Sequence, residues 1–250
     1  MAREPAQRGK PAPAARPDSA EPERQRPAPV RASLVFLGGA LIALVAPPLA
    51  AGVFTDQGPA ALITVALVEL LLVWAITAWW LRRRRLRWAD VGLSTRHWVR
   101  DSALGAAVVV PRLLLEFGVL VPMAGGADSA EVREVLDNAA AGGAALAATL
   151  ALGVIGGGIA EELYFRGFLI KALPEAFRRR RRAVGVAATV SVLLFGLLHV
   201  PAGGPEAASI AVAGLVYVGL FLLTGRLTAP MVSHCLWNTA AVAAVLALYG

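Results

Sequence analysis

The stretch GGGIAEELYFRG, residues 156–167, places two glutamates and an arginine inside an apolar segment. Its flanks, GGAALAATLALGVI before it and FLIKAL after it, have the composition of a helix that crosses a lipid bilayer. Because ionisable side chains are costly in hydrocarbon, charged residues in such a helix must face protein or water. Their presence here therefore indicates a function.

The rest of the chain is also typical of a membrane protein. Of its 250 residues, 57% are hydrophobic and only 16% are charged, which argues against an ordinary soluble domain. A helix needs roughly 20 mostly apolar residues to cross the hydrocarbon core. The sequence predicts an all-α membrane bundle of about seven such helices, with a polar cavity among spans four to seven. The predicted spans are residues 33–54, 60–81, 102–122, 144–170, 183–200, 208–224 and 228–249.

The predicted membrane topology explains the net charge of +7, because the arginines cluster at the ends of apolar segments. The positive-inside rule therefore places the amino terminus in the cytoplasm and the carboxyl terminus outside a multi-pass cell-membrane protein. The basic runs could also bind anionic lipid headgroups, whereas a nucleic-acid partner is not expected. The predicted cytoplasmic segments are the tail before Ser33, the loop LRRRRLRW with Arg96 and Arg100, residues 171–182, and Arg226. In the connections on the opposite side, Arg133 is the only lysine or arginine.

The chain divides into two predicted regions. Residues 1–32 are rich in Pro, Ala and charge of both signs and are predicted to be a disordered cytoplasmic tail. Residues 33–250 are predicted to form one transmembrane domain. A cleaved signal peptide is the alternative, but the apolar run from Ser33 is longer than a usual signal-peptide core. The single cysteine, Cys235, excludes an intrachain disulfide.

The two glutamates of the charged motif point in different directions. Glu162 and Arg166 are four residues apart, share a helical face and can neutralise each other. Glu161 points about 100° away on an α-helix, so it needs another partner or a water-filled cavity. The alternative is a Glu–Arg pair on the surface of a cytoplasmic helix end.

Two of the three histidines lie within predicted spans. His199 ends the motif FGLLHVP, residues 195–201, and His234 shares a helical face with Asn238 in HCLWN, residues 234–238. A lone histidine near a helix end often has a structural role only. The third histidine, His97, lies in a basic loop and is expected to be solvated.

Together these residues could hydrolyse an amide bond. A carboxylate can accept a proton from water, an imidazole can orient that water, and an amide or imidazole can stabilise the oxyanion. Alternatively, Glu161, His199 and His234 match the His2Glu ligation of a catalytic zinc ion. No nucleophilic triad is evident, since no GxSxG motif occurs and Cys235 has no assigned base.

The strings EELYFR, FGLLH and HCLWN occur in that order on three late apolar spans. They resemble the motifs EExxxR, FxxxH and HxxxN or HxxxB of the CPBP family of intramembrane proteases. This family includes CAAX-processing, Rce1-like and bacterial abortive-infection or bacteriocin-immunity proteins. The resemblance covers about residues 89–249, beginning near WADVGL.

The resemblance implies an intramembrane endopeptidase that acts on a membrane-associated protein or peptide. Glu161 would be the main catalytic carboxylate, and His199 and His234 would act on water or on a metal ion such as zinc. Asn238 would help to stabilise the oxyanion, with Glu162 and Arg166 as supporting residues. A metal-free mechanism, in which Glu161 and His199 activate water, is the other interpretation. A non-catalytic immunity or scaffold protein of the same family is the alternative function.

Further residues in the spans have their own predicted roles. Gly156, Gly157 and Gly158 allow close helix packing or leave room for a substrate backbone. Arg112 and Glu116, four apart, are predicted to form a buried ion pair. Intramembrane carboxylates at Glu69 and Glu116 also suggest a transporter, but no broken-helix pair or inverted repeat accompanies them. His234 is expected only about 10 Å from the start of its span, a different depth from Glu161.

Overall fold

A computed structural model describes residues 58–176, 180–199 and 203–250 of the chain. Within these ranges every regular element is a helix. The predicted tail, residues 1–32, and the predicted first span, residues 33–54, lie outside the described residues.

Seven helices, α1 to α7, form the described part of the chain. Five of them, α1, α2, α4, α6 and α7, are long and apolar enough to cross a membrane, and α5 is a shorter apolar helix. The predicted all-α membrane bundle is therefore confirmed. The helices are α1 Pro59–Arg84, α2 Trp98–Met123, α3 Ala130–Ala140, α4 Gly143–Ala172, α5 Arg180–Leu198, α6 Gly204–Thr224 and α7 Thr228–Tyr249; short 3₁₀ turns occupy Trp88–Val91, Gly126–Asp128 and Leu173–Ala176.

The outer surface of the bundle carries large apolar side chains. Leu114, Leu197 and Leu223 are exposed, the last to 80%. In water this surface would be unfavourable, whereas hydrocarbon tails solvate leucine well. The protein is therefore a multi-pass membrane protein, with these side chains facing lipid.

An aromatic core holds α4 against its neighbours. Trp80 of α1 meets Phe168 edge to face at 5.6 Å between ring centroids, and Phe165 meets Phe195 of α5 in the same way at 5.7 Å. Such edge-to-face pairs add to the stabilisation that burial provides. The core fixes the orientation of the α4 segment that carries the charged motif.

Helix α4 departs from α-helical geometry where the sequence analysis expected a regular span. Only Gly143–Ala151 and Ile170–Ala172 are α-helical, and two π-helical segments, Leu152–Glu161 and Leu163–Leu169, lie between them. A π-helix bonds each N–H to the carbonyl five residues back and frequently marks a functional site. The charged motif thus lies on π-helical backbone.

The three consecutive glycines of α4 admit side chains from two other helices. A Cβ on Gly156 would lie 2.9 Å from Oε2 of Glu69, and a Cβ on Gly158 would overlap the Cys235 sulfur. A larger residue at Gly158 would push α7 away, because it would also meet the Cys235 backbone, whereas the Glu69 side chain could move aside from Gly156. The predicted close helix packing at the glycine run is confirmed.

The predicted ion pair between Arg112 and Glu116 is wrong. Nη1 of Arg112 donates to the hydroxyl of Tyr217, while Glu116 accepts a 2.6 Å hydrogen bond from Ser209 Oγ. A π-helical segment, Glu116–Leu120, begins in α2 at the glutamate. Both groups therefore bond to α6 and do not pair with each other.

The basic connections meet at one end of the bundle. Arg226, between α6 and α7, donates from Nη2 to Oδ1 of Asp101 at 2.9 Å. The backbone N–H of Leu227 donates to the carbonyl of Gly92 at 2.8 Å. The α1–α2 and α6–α7 connections thus lie on the same side, as the alternating topology requires.

Candidate active site

Glu162 is the centre of a buried polar cluster. Its Oε1 accepts hydrogen bonds from Nη1 of Arg166 and from Nδ1 of His234, each at 2.9 Å. Both side chains of the Glu162–Arg166 pair are 0% exposed. The predicted ion pair is confirmed, and it lies in the interior of the bundle instead of on a helix surface.

Arg166 is fixed by more than its carboxylate partner. Nη2 donates to the carbonyl of Gly214 on α6 at 3.4 Å. The guanidinium carbon lies 4.7 Å from the ring centroid of Phe195 and 5.3 Å from that of Tyr217. These hydrogen bonds and cation–π contacts join α4, α5 and α6 around one charge.

Glu161 lies in different surroundings from Glu162, as its position one residue earlier predicts. Its Oε1 is 3.8 Å from Nε2 of His199. Nδ1 of His199 lies 2.8 Å from the Phe195 carbonyl, which can only accept, so Nδ1 carries a proton. In the neutral imidazole, Nε2 is then an acceptor beside the Glu161 carboxylate.

His234 and Asn238 face the glycine run from α7. Nδ2 of Asn238 donates to the Gly153 carbonyl at 2.7 Å. A Cβ on Gly157 would lie 2.9 Å from Nδ2 of Asn238 and 3.3 Å from Nε2 of His234. Because glycine has no Cβ, both nitrogen atoms can approach the α4 backbone closely at Gly157.

Tyr217 is a site residue that the sequence analysis missed. Its ring stacks on the His234 imidazole at 4.4 Å between centroids, with 21° between the planes. Its hydroxyl accepts from Arg112, whose guanidinium carbon lies 3.6 Å from the ring centroid of Trp237. The sequence could have indicated Tyr217, because a tyrosine inside an apolar span needs a polar partner for its hydroxyl.

The predicted catalytic residues His199 and His234 lie next to the ring of Phe195. His199 lies 4.4 Å and His234 6.2 Å from that ring, measured between centroids. His234 of α7 also bonds Glu162 of α4 directly. The two side chains therefore meet, although their positions in the predicted spans indicated different depths in the membrane. His97 is exposed in its loop, as expected.

The zinc site predicted from Glu161, His199 and His234 stays a prediction. In the described ranges, no group of three His, Cys, Asp or Glu side chains is arranged to hold a metal ion. His234 donates from Nδ1 to Glu162 and keeps Nε2 beside Gly157, while Nε2 of His199 faces Glu161.

A separate cavity of about 380 Å³ opens at the end of the bundle away from Arg226. It is lined by the end of α2, the start of α3 and the start of α6. It contains none of the predicted site residues. Its polar lining residues include Glu116, Asp128, Glu131, Arg133 and Glu206.

Comparisons with curated proteins and with solved structures found no match. A family model did match part of the chain. Residues 143–240, which include all three motifs, match the model described as type II CAAX prenyl endopeptidase Rce1-like.

Proposed function

We propose that this protein is an intramembrane endopeptidase, because residues 143–240 match the model of the Rce1-like CAAX endopeptidases. It would hydrolyse a peptide bond of a membrane-associated protein or peptide. One observation carries the proposal: Glu161 and His199 face each other inside the bundle, with 3.8 Å between Oε1 and Nε2.

In the proposed mechanism, Glu161 and His199 activate one water molecule. Nε2 of His199 accepts a hydrogen bond that orients the water, and the Glu161 carboxylate takes a proton as the water oxygen attacks the carbonyl carbon. The carbonyl electron pair moves to the oxygen. When the C–N bond breaks, Glu161 returns the proton to the leaving nitrogen, so the carboxylate is regenerated.

The oxyanion would lie above Gly157, within reach of Nδ2 of Asn238 and Nε2 of His234. Asn238 uses one Nδ2–H for the Gly153 carbonyl, which leaves the other for the substrate oxygen. When both ring nitrogens of His234 carry protons, Nδ1–H bonds Glu162 and Nε2–H can also donate. Donors fixed before the reaction stabilise the developing charge without reorganisation.

The buried pair of Glu162 and Arg166 would support this site without taking part in the proton transfer. Glu162 holds the imidazole of His234 by Nδ1, and Arg166 balances the negative charge. Tyr217 stacks on the same imidazole and restricts its rotation. These contacts position the ring towards Gly157.

The proposed membrane orientation follows from the basic end of the bundle. Arg82 and Arg83 are exposed there, where they could contact anionic lipid headgroups of a cytoplasmic leaflet. Cysteines introduced at Arg83 and at Gly126, in a Cys235→Ala background, test the orientation. A membrane-impermeant maleimide should label only the Gly126→Cys protein in intact cells, and the reverse pattern would contradict it.

A non-catalytic scaffold or immunity protein is the second candidate. It is favoured by one observation, which is that Glu162 bonds both Arg166 and His234 in the interior of the bundle. In that case the polar residues only stabilise the bundle. Replacing Glu161 would then change the melting temperature and leave any proteolysis of cell membrane proteins unaltered.

Quantitative terminal proteomics of membranes tests the proposed function against the alternative. Cells producing the wild-type protein should contain new peptide termini that are absent with Glu161→Gln. Glu116→Gln is the matched control, because Glu116 is a buried membrane carboxylate that lies in the other cavity and bonds Ser209. Identical termini with wild type and Glu161→Gln would refute proteolysis by this site.

A further inference from the structure

Arg112 of α2 is a buried cation inside a membrane-spanning helix, outside the residues that match the family model. The residue is only 7% exposed. It forms no ion pair with a carboxylate of the described residues, and Glu116, one turn away, bonds Ser209 instead. A charged side chain at such a place is costly and by default indicates a function. The groups that hold Arg112 there show which part of the site it acts on.

Two aromatic side chains hold the guanidinium of Arg112. Its central carbon lies 3.6 Å from the ring centroid of Trp237 on α7 and 5.4 Å from that of Tyr217 on α6. Nη1 donates a hydrogen bond to the Tyr217 hydroxyl, which has no other hydrogen-bond partner among the described residues. A planar group that stacks on rings and donates in a fixed direction is specific to arginine. Arg112 thus joins α2 to both α6 and α7.

Tyr217 connects Arg112 to the candidate site. Its fully buried ring stacks on the His234 imidazole, with 4.4 Å between centroids and 21° between the planes. His234 donates from Nδ1 to Glu162 at 2.9 Å, and its Nε2 would lie 3.3 Å from a Cβ on Gly157. Because close-packed side chains restrict one another, the direction of Nε2 depends on where the Tyr217 ring lies.

The position of the Tyr217 ring depends on its hydroxyl as well as on packing. Phe195 meets the ring edge to face at 6.3 Å between centroids, and the hydrogen bond from Arg112 fixes the hydroxyl end. A buried hydroxyl that loses its partner is costly, so without this donor the ring would shift towards another one. Such a shift would move the surface on which His234 packs.

We infer that Arg112 is a positioning residue, which fixes the His234 imidazole through Tyr217 so that Nε2–H is directed to the substrate oxyanion. The inference rests on the proposed function. In this role Arg112 exchanges no proton with the substrate or the water. Because the oxyanion forms only during attack, a misplaced donor weakens the transition state more than the bound substrate. Loss of Arg112 should therefore lower kcat and leave KM nearly unchanged.

Three substitutions test this role in the purified full-length protein, reconstituted in liposomes with a cleaved membrane peptide. Arg112→Met removes the cation and the donor, and it should lower kcat by about 100-fold, as a misplaced group can, with KM within about twofold of wild type. Arg112→Lys keeps the charge and a donor but not the planar group, so it should recover part of the loss. Arg100→Met, at an exposed position of α2, is the matched control and should keep the wild-type kcat.

Tyr217→Phe tests the same contact without removing a charge, and it replaces Arg112→Met as the test if that protein does not fold. The phenylalanine keeps the ring that stacks on His234 and lacks the hydroxyl that Arg112 bonds. It should also lower kcat at nearly unchanged KM. A wild-type kcat for Tyr217→Phe would overturn the inference.

A double-mutant cycle with His234 separates positioning from a purely structural role. His234→Leu has no donor to position, so adding Arg112→Met to it should change the single-turnover rate by less than about twofold. A loss as large in this background as in the wild-type background would overturn the inference. So would an Arg112→Met protein that melts at a lower temperature but keeps its kcat.

Glu161→Gln separates a failure of this inference from a failure of the proposed function. If Glu161→Gln abolishes cleavage while Arg112→Met cleaves as fast as wild type, only the role of Arg112 is wrong. If Glu161→Gln itself cleaves as fast as wild type, the proposed function is wrong and the inference fails with it.

Discussion

Nε2 of His199 lies 3.8 Å from Oε1 of Glu161, although 38 positions separate the two residues in the sequence. The opposite ring nitrogen is held by the Phe195 carbonyl, so the imidazole is oriented before any substrate arrives. Such a pair of acceptors can hold and deprotonate a water molecule. The predictions below depend on this pair and on the contacts that surround it.

Gly157→Ala should lower kcat, because the new Cβ would lie 2.9 Å from Nδ2 of Asn238 and 3.3 Å from Nε2 of His234 and would displace them. If these two groups bind the substrate oxyanion, losing them should cost about 100- to 1,000-fold in kcat. Initial rates of peptide cleavage in liposomes, measured at saturating substrate, provide the test.

Gly219→Ala is the matched control for this experiment. A Cβ on Gly219 of α6 would meet nothing within 4 Å. Alanine also favours the helical state over glycine. Its kcat should therefore equal that of wild type. Full activity of the Gly157→Ala protein would rule out the position above Gly157 as the oxyanion site.

The sequence predicted those interactions of the site in which both residues lie close together on one helix. Glu162 and Arg166 pair as their spacing indicates, and Glu161 is directed elsewhere. The helical class also followed directly from composition, since only apolar runs of this length suit a bilayer. These features depend on local periodicity and on hydrophobicity.

The missed features depend on contacts between helices. Arg112 and Glu116 have the spacing of an ion pair, yet Tyr217 and Ser209 of α6 bind them instead. The π-helical backbone of α4 was also missed. Its run of glycines shows only that other side chains can approach, and not which ones do so.

Arg166→Met should destabilise the protein strongly. The substitution removes the cation from a fully buried pair and leaves Glu162 with His234 alone. Breaking a buried pair typically costs about 3–5 kcal/mol of the free energy of unfolding. Unfolding of the purified protein in mixed micelles measures this loss. Arg82→Met, at an exposed position, should change the free energy by less than about 0.5 kcal/mol. Equal effects in both variants would contradict the structural role of Arg166.

Chelators should leave proteolysis intact, because the proposed mechanism uses the side chains of Glu161 and His199 without a metal step. Activity is measured after prolonged dialysis against EDTA or 1,10-phenanthroline, with metal content determined on the same samples. Loss of activity that zinc restores would contradict the mechanism.

Stability should depend on pH through Glu131, in α3 outside the membrane spans. Glu131 is exposed at the wall of the cavity. Desolvation there, together with the charges of Glu116 and Glu206, raises the pKa of Glu131 from 4.5 to about 7. Between these two values the folded state binds more protons than the unfolded state at this site. Stability therefore falls as the pH rises from about 4.5 to about 7, and this contribution is constant above that range.

The melting temperature at pH 5 and at pH 8 measures this dependence. Glu131→Gln should show a smaller decrease between the two values than wild type, because the glutamine cannot titrate. An identical decrease in both proteins would mean that Glu131 does not contribute.

The central claim, that Glu161 and His199 act together on one water molecule, is tested most directly by a double-mutant cycle. Rates of peptide cleavage are measured for Glu161→Gln, His199→Gln and the double variant, all in the same liposomes. Each single change should lower kcat by about 100- to 10,000-fold, and the double variant should lose little more than the worse single variant. Losses that multiply in the double variant would show independent roles, and an unchanged rate in Glu161→Gln would contradict the account altogether.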